Sequence, residues 1–492
     1  MFRFFLKAIS SRDQFYDLLI ILFFCIAFGF LFFYNLGGTS LVDFDEAWWA
    51  EVARNILVNR DPYVLTFNES PIFFHPPFGY VLIALSQLIF GVSEFSSRLP
   101  SAVLGFGSII LTYFLGKELF NRFVGLTGSL MLTSSVWFIL RARSGNLDAI
   151  FVFMFLLTIF LFTKSIKNRF FLYSSAVSFA LLFMTKTFIG VAALLPMVAF
   201  QLVNFRKSKS KLGNFLIAFL LAIYVLTPWL AANYSVYDTG FLYSLFENAV
   251  KPGKQYLPNL LELHKSLTME YLHFGVKEWY YPAIIAMFGS LIFIKRFPNV
   301  LVLYAWTVPL LVAFIINSKT EIWHLIPIYP ALGLMIGFFL YSSLEFSHSS
   351  INKLKLHKNL DNRILISGKI LIIFAVLLLS AKQIYEFRDE VGLFDHRVTG
   401  LAYTAKAARD LSEKLYLDND NFLPSAVFYS QKKVYHLQGE IPPKNTLAGM
   451  INEEKVSILI LTEKYRLEGE GVENNKYKVL SEHLGHVLIR VN

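Results

Sequence analysis

The chain has 492 residues, 55% of them hydrophobic and 16% charged, with a formal net charge of +10 and Cys25 as its single cysteine. That balance excludes a soluble globular protein, and one cysteine excludes an internal disulfide or a thiolate metal cluster. The basic residues stand in short loops between apolar runs, which is a membrane-topology pattern and not a nucleic-acid stripe.

In chain order, residues 17–34 form the first apolar run, behind Arg3, Lys7 and Arg12. It lacks a small-residue cleavage site and is expected to be an uncleaved anchor. Further spans are expected at 98–116, 122–140, 147–163, 170–185, 187–204, 214–232, 278–294, 298–316, 324–342 and 367–384. That gives about eleven spans, or up to thirteen helices with interfacial ones. The run 76–90 is shorter and opens with His75, Pro76 and Pro77. If it lies at the interface, the basic loops at 117–122, 164–169, 206–211, 295–296 and 353–369 all fall on the cytoplasmic side with the N-terminus. If it crosses, every one of those loops flips outward, so charge favours an interfacial helix.

This topology sends 35–97, 141–148, 233–277 and 317–323 to the outer face. From 385 onward the composition turns mixed and polar, which predicts a small extracytoplasmic α/β domain over 385–492 behind a membrane-embedded domain over 1–384. Helices are expected at 399–415 and 447–454, and strands at 425–429, 456–462 and 487–491. No internal repeat is visible.

The densest chemistry follows the first span, in Asp43-Phe44-Asp45-Glu46-Ala47-Trp48-Trp49-Ala50-Glu51. Asp45 is placed to cap a helix running to Leu57, whose Trp48, Trp49, Val52 and Ile56 make an apolar stripe suited to the bilayer surface. A carboxylate at that edge is either a solvated cap or a desolvated base for an acceptor hydroxyl or amine. Asp148 heads a later span just after Arg141 and Arg143. Two arginines there pair with acids or bind an anion such as a lipid phosphate. Lys186 and Lys319 stand at span ends, where they either snorkel or gather round a phosphate leaving group. His75, His264, His273 and His324 are also near this face, but none has the i, i+4 spacing of a helical metal motif. Walker, dinucleotide and serine-elbow motifs are absent.

Taken together, these residues resemble the GT-C superfamily of membrane glycosyltransferases, specifically the bacterial relatives of dolichyl-phosphate-mannose protein mannosyltransferases and of lipid A aminoarabinose transferases. The resemblance runs in order over about the first 340 residues. It rests on Asp45-Glu46, His75-Pro76-Pro77-Phe78, the segment 95–100 with Ser101 and Gly105, then Arg143, Gly145 and Asp148, Thr185-Lys186, Trp279-Tyr280-Tyr281-Pro282, and Lys319 with His324, Pro327, Tyr329 and Pro330.

The resemblance implies transfer of a sugar, with inversion, from an undecaprenyl-phosphate type donor to lipid A, a glycan or a protein on the periplasmic face of the inner membrane. It implies Asp45, Glu46 and Asp148 as catalytic carboxylates and Arg143, Lys186 and Lys319 as phosphate ligands. Asp43, His75, Trp279, Tyr280, His324 and Tyr329 would line the substrate pocket. No cofactor is required, although a divalent metal is compatible with one branch. Phe74 and His75 stand where aminoarabinose transferases carry an acid and a lysine, which counts against that sugar. The competing class is an envelope lipid or sugar transporter. Such proteins place ionisable groups at the midplane and often show inverted repeats, whereas these charges collect at one surface.

Overall fold

The structure, a computed structural model, describes residues 12–73, 75–208, 211–250, 266–317, 320–353, 361–469, 472–473 and 475–491. Its contacts divide the chain into two compact units. The first comprises Met1–Tyr34, Ser101–Arg143 and Leu147–Leu393, and the second Asn35–Pro100, Ser144–Asn146 and Phe394–Asn492.

The first unit is helical. Among the described residues, five helices are long and apolar enough to cross a membrane: Arg12–Phe33, Glu94–Leu119, Leu212–Phe246, Ile322–Ser350 and Arg363–Glu386. A sixth is the pair Arg122–Ser134 and Val136–Ala142, bent by 72°. The other expected spans are helical but shorter. Asp148–Lys164 has 17 residues, and Phe170–Phe183, Phe188–Val203 and Val300–Ile316 are apolar helices of similar or lesser length. Three expected spans contain 3-10 turns, and the run from 324 lies partly in one, Ile322–Ile328, before the α-helix Tyr329–Lys353. The run from 187 divides into Phe188–Ala193 and the α-helix Leu194–Val203, and the run from 278 into Lys277–Trp279, Tyr280–Gly289 and Ser290–Phe293. A 3-10 turn rises more per residue than an α-helix, so fewer residues cover the same depth.

Small residues let these helices approach closely. Gly333 and Gly337 lie four apart on the helix Tyr329–Lys353. A Cβ on Gly333 would stand 2.7 Å from the Gly128 carbonyl oxygen, and one on Gly337 would meet the backbone of Val124 at 2.9 Å. This is a close backbone contact of the kind that replaces hydrophobic driving force within a bilayer.

In the second unit the helix Ala47–Asn59 packs against Phe78–Phe90 and Pro424–Ser430. Phe78–Phe90 has 13 residues, a rise of about 20 Å against a hydrocarbon core of about 30 Å, so it is too short to cross alone. A hairpin pairs β1 (Thr66–Phe67) with β2 (Ser70–Pro71). The larger sheet has the order β4-β3-β5-β7-β6. In it β3 (Lys414–Leu417) runs parallel to both β4 (Val434–His436) and β5 (Ile458–Glu463). Antiparallel β7 (His486–Val491) links β5 to β6 (Tyr477–His483). Ile460 and Ile489 face each other in register within a core that includes Leu437, Leu447 and Met450.

This grouping differs from a boundary at 384/385, because residues 35–100 pack with the C-terminal region. The Leu41 N–H donates to the Tyr429 hydroxyl at 2.7 Å, the Ser425 N–H donates to Asp43 Oδ1 at 2.8 Å, and the Asn68 side chain pairs with the backbone of Val434. The expected strand at 425–429 is a helix. Five consecutive apolar or small residues fit either state, and Pro424 at the first helical position selects the helix.

Candidate active site

Within the second unit, the chain turns over residues 43–46 and then enters the helix Ala47–Asn59. Phe44 sits at φ 53, a conformation that a residue with a Cβ adopts only under constraint. The constraint is a reciprocal clamp. The Glu46 N–H donates to the Val42 carbonyl at 3.0 Å, and the Val42 N–H donates to Glu46 Oε2 at 3.0 Å.

Glu46, not Asp45, occupies the cap position, and its side chain does not cap the helix. It points inward and is 2% exposed. Arg98 grips it through Nε at 2.8 Å and Nη2 at 2.6 Å. The Gly145 N–H at 2.7 Å and the Ser144 hydroxyl at 3.0 Å add to this. Arg98 spends its other donors on the carbonyls of Leu36, Thr39 and Ser40. Burial pushes the Glu46 carboxyl up, but the Arg98 charge and the hydrogen bonds outweigh it and hold the group below the usual carboxylate value. Glu46 thus ties the 42–46 turn to Gly145, three residues ahead of Asp148 in the chain.

Asp43 is engaged by Ser425, while Asp45 is half-buried at the turn. The Trp48, Trp49, Val52 and Ile56 stripe does not present itself to a bilayer. Val52 and Ile56 are buried, Trp48 stacks on Phe67 with ring centroids 3.8 Å apart, and Trp49 lies against His75 and Tyr80 at 4.9 and 5.2 Å. An amphipathic helix cannot report which apolar surface it covers, and here protein covers it. His75 is therefore a ring partner of Trp49.

Within the first unit, Asp148 begins the helix Asp148–Lys164, where the dipole favours an acid. Arg141 Nε approaches it at 2.5 Å and Lys186 forms a second ion pair with its other oxygen. The Arg141 guanidinium also lies 4.8 Å above the Trp323 ring. His324, next to Trp323, feels the charges of Lys186, Asp148 and Arg141, and its Nδ1 accepts the Glu321 N–H at 3.0 Å.

The remaining candidates are placed differently. Arg143 donates to the carbonyls of Leu31 and Tyr34 at 2.7 and 3.0 Å, so it caps the C-terminal end of the helix Arg12–Phe33. Trp279 is buried and its indole N–H donates to Ser134 at 2.8 Å. Tyr280 packs on His273 at 4.7 Å. Tyr329 is fully buried with its hydroxyl against Gly275. Lys319 and His264 lie outside the described residues. No three His, Cys, Asp or Glu side chains converge among the described residues, so their donor set does not fit a resident metal.

Sequence reasoning missed Arg98 as the partner of Glu46, and it favoured Arg143 over Arg141 for the anion. The signal for Arg98 was present, since an arginine heading an apolar run needs an acid.

The fold has close parallels among solved structures. ArnT from Cupriavidus metallidurans in the apo state superposes with a TM-score of 0.71 over 98% of both chains at 14% identity. The same protein bound to undecaprenyl phosphate gives 0.68 over 96% of this chain and 98% of that one, at 16% identity. Residues 74–231 match the family model for dolichyl-phosphate-mannose-protein mannosyltransferase.

The chain has the fold of ArnT and, over residues 74–231, is similar to the dolichyl-phosphate-mannose-protein mannosyltransferase family.

Curated relatives match parts of the chain. An uncharacterized protein of Aquifex aeolicus is 29% identical over 227 residues, 45% of each chain. The undecaprenyl phosphate-alpha-4-amino-4-deoxy-L-arabinose arabinosyl transferase of Pseudomonas aeruginosa is 29% identical over 236 residues, 45% of this chain and 41% of that one. The chain thus matches less than half the length of these two relatives.

Proposed function

We propose that this chain moves a sugar from a polyprenyl phosphate of the undecaprenyl type to a hydroxyl or amine of lipid A, a glycan or a protein, with inversion, on the non-cytoplasmic face. The observation that carries this reading is the cluster in which Arg141 and Lys186 both pair with Asp148. A guanidinium and an ammonium held side by side are a good match for a phosphate ester.

In the proposed reaction the acceptor oxygen or nitrogen attacks C1 of the sugar as the C1–O bond to phosphate breaks. Asp45 takes the acceptor proton. The electron pair leaves on the polyprenyl phosphate, whose new charge meets Lys186 and Arg141. Asp148 holds those two cations in place, and Glu46 with Arg98 holds the turn that presents Asp45. In this scheme Glu46 and Asp148 are positioning residues. One in-line displacement inverts the sugar carbon and requires no covalent enzyme intermediate.

The test is carrier binding to the purified chain, read by native mass spectrometry with undecaprenyl phosphate. Lys186→Met removes a charge-assisted contact and is expected to weaken binding by about ten- to a hundredfold. Unchanged binding in a folded variant would remove the cluster from the phosphate site.

A further inference from the structure

The first unit carries a second cationic feature at the end that holds the basic loops. Several basic groups there have acidic partners. Lys117 and Arg122 meet Asp17, Lys164 and Lys167 meet Glu118, and Lys369 meets Glu345. Lys207 and Arg296 form no ion pair among the described residues. Both line a cleft of about 260 Å³ together with Asn121, Asn204, Asn299 and Tyr341. That volume is several times the roughly 30 Å³ a water occupies, so the cleft exceeds a hydration site.

Its walls are braced. The Asn204 amide donates to Asn299 Oδ1 at 3.0 Å, and the Asn299 amide donates to the Leu119 carbonyl at 2.9 Å. These bonds tie three loops together around the opening. The Arg296 guanidinium lies 5.3 Å from the Phe297 ring centroid, which orients it without neutralising it. No carboxylate is among the lining residues. Two cations on a cleft walled by neutral amides repel each other until an anion enters.

The surroundings say what kind of anion. Leu202 and Phe205, both 71% exposed, stand on the segment that leads to Lys207, and Ile292, 79% exposed, on the segment that leads to Arg296. A free ion gains nothing from this surface, whereas a molecule with a phosphate head and an apolar tail uses both parts. We propose that the cleft binds the phosphate headgroup of an anionic phospholipid, with its acyl chains along Leu202, Phe205 and Ile292. Basic pockets between helices at the cytoplasmic leaflet bind such headgroups, and the positive-inside reading places these loops there.

The full chain, purified in detergent, is titrated with phosphatidylglycerol and with phosphatidylcholine of the same acyl chains, and bound lipid is counted by native mass spectrometry. The expected result is a preference for phosphatidylglycerol of about tenfold. Lys207→Gln with Arg296→Gln abolishes that preference, and Lys167→Gln, a charge loss elsewhere at the same end, keeps it. Arg296→Lys retains the charge and is expected to keep most of the preference, which separates charge loss from misfolding. Millimolar inorganic phosphate is expected to leave the lipid bound. Equal binding of the two lipids, an unchanged preference in the double variant, or displacement by inorganic phosphate would each overturn the proposal.

Discussion

At the scale of single residues, the acidic turn divides its labour. Glu46 has at least five donors on two oxygens, so its free energy goes into holding the turn. Glu46→Gln leaves the Arg98 charge buried without its counter-charge, and the expected loss is about 3 kcal/mol or more, measured as thermal unfolding of the detergent-solubilised chain. The pH dependence has a definite sign. The folded value lies below the ordinary 4.5, so the stabilisation is complete above that pH and is lost as pH falls through the folded value. Glu46→Gln should flatten this acid limb. Glu51 has the opposite sign, because burial raises it in spite of Arg54 and its contribution fades as pH rises through the folded value. Asp45 and Asp43 separate in a different way. Asp45→Asn is expected to abolish sugar transfer with unfolding unchanged, whereas Asp43→Asn weakens the contact with Ser425 and lowers stability by about 0.5–1.5 kcal/mol. Activity lost in Asp43→Asn and kept in Asp45→Asn would reverse the assignment of the base.

At the scale of elements, the runs of hydropathy were readable and their internal breaks were not. Every expected span is helical, yet hydropathy does not distinguish one straight helix from the α-helix and 3-10 turns found over 277–293. The strand expected at 425–429 failed for a related reason, since a short apolar run carries no periodicity to decide its state. Arg98 was readable as an arginine in need of an acid, but which acid was not, because Glu46 lies 52 residues away and only folding brings the two together. Asp148 with Lys186 was partly readable, because two charges at the edge of apolar runs both need a partner. The glycine contact offers a direct test of helix packing. Gly333→Val puts branched carbon where the Gly128 carbonyl already stands 2.7 Å from a Cβ, and the expected cost is about 1–3 kcal/mol, seen as a lowered melting temperature. An unchanged melting temperature would mean that these helices do not meet through their backbones.

At the scale of the molecule, composition and charge marked the membrane protein, and the order of motifs pointed to the GT-C fold that the structure shares with ArnT. The packing of residues 35–100 with 394–492 had no sequence signal, because it depends on hydrogen bonds such as Leu41 to Tyr429 that cross nearly the whole chain. Sugar and acceptor depend on the shape of a loaded site and were not written in any motif. The central claim is therefore best tested where substrate identity need not be assumed. Polyprenyl-phosphate sugars and envelope glycans are compared by mass spectrometry in a strain lacking this gene, complemented with wild type or Asp45→Asn. A lipid-linked sugar that accumulates while one glycan loses a residue, in both the deletion and the Asp45→Asn strain, is the predicted result. A normal glycan profile in the Asp45→Asn strain would contradict the account.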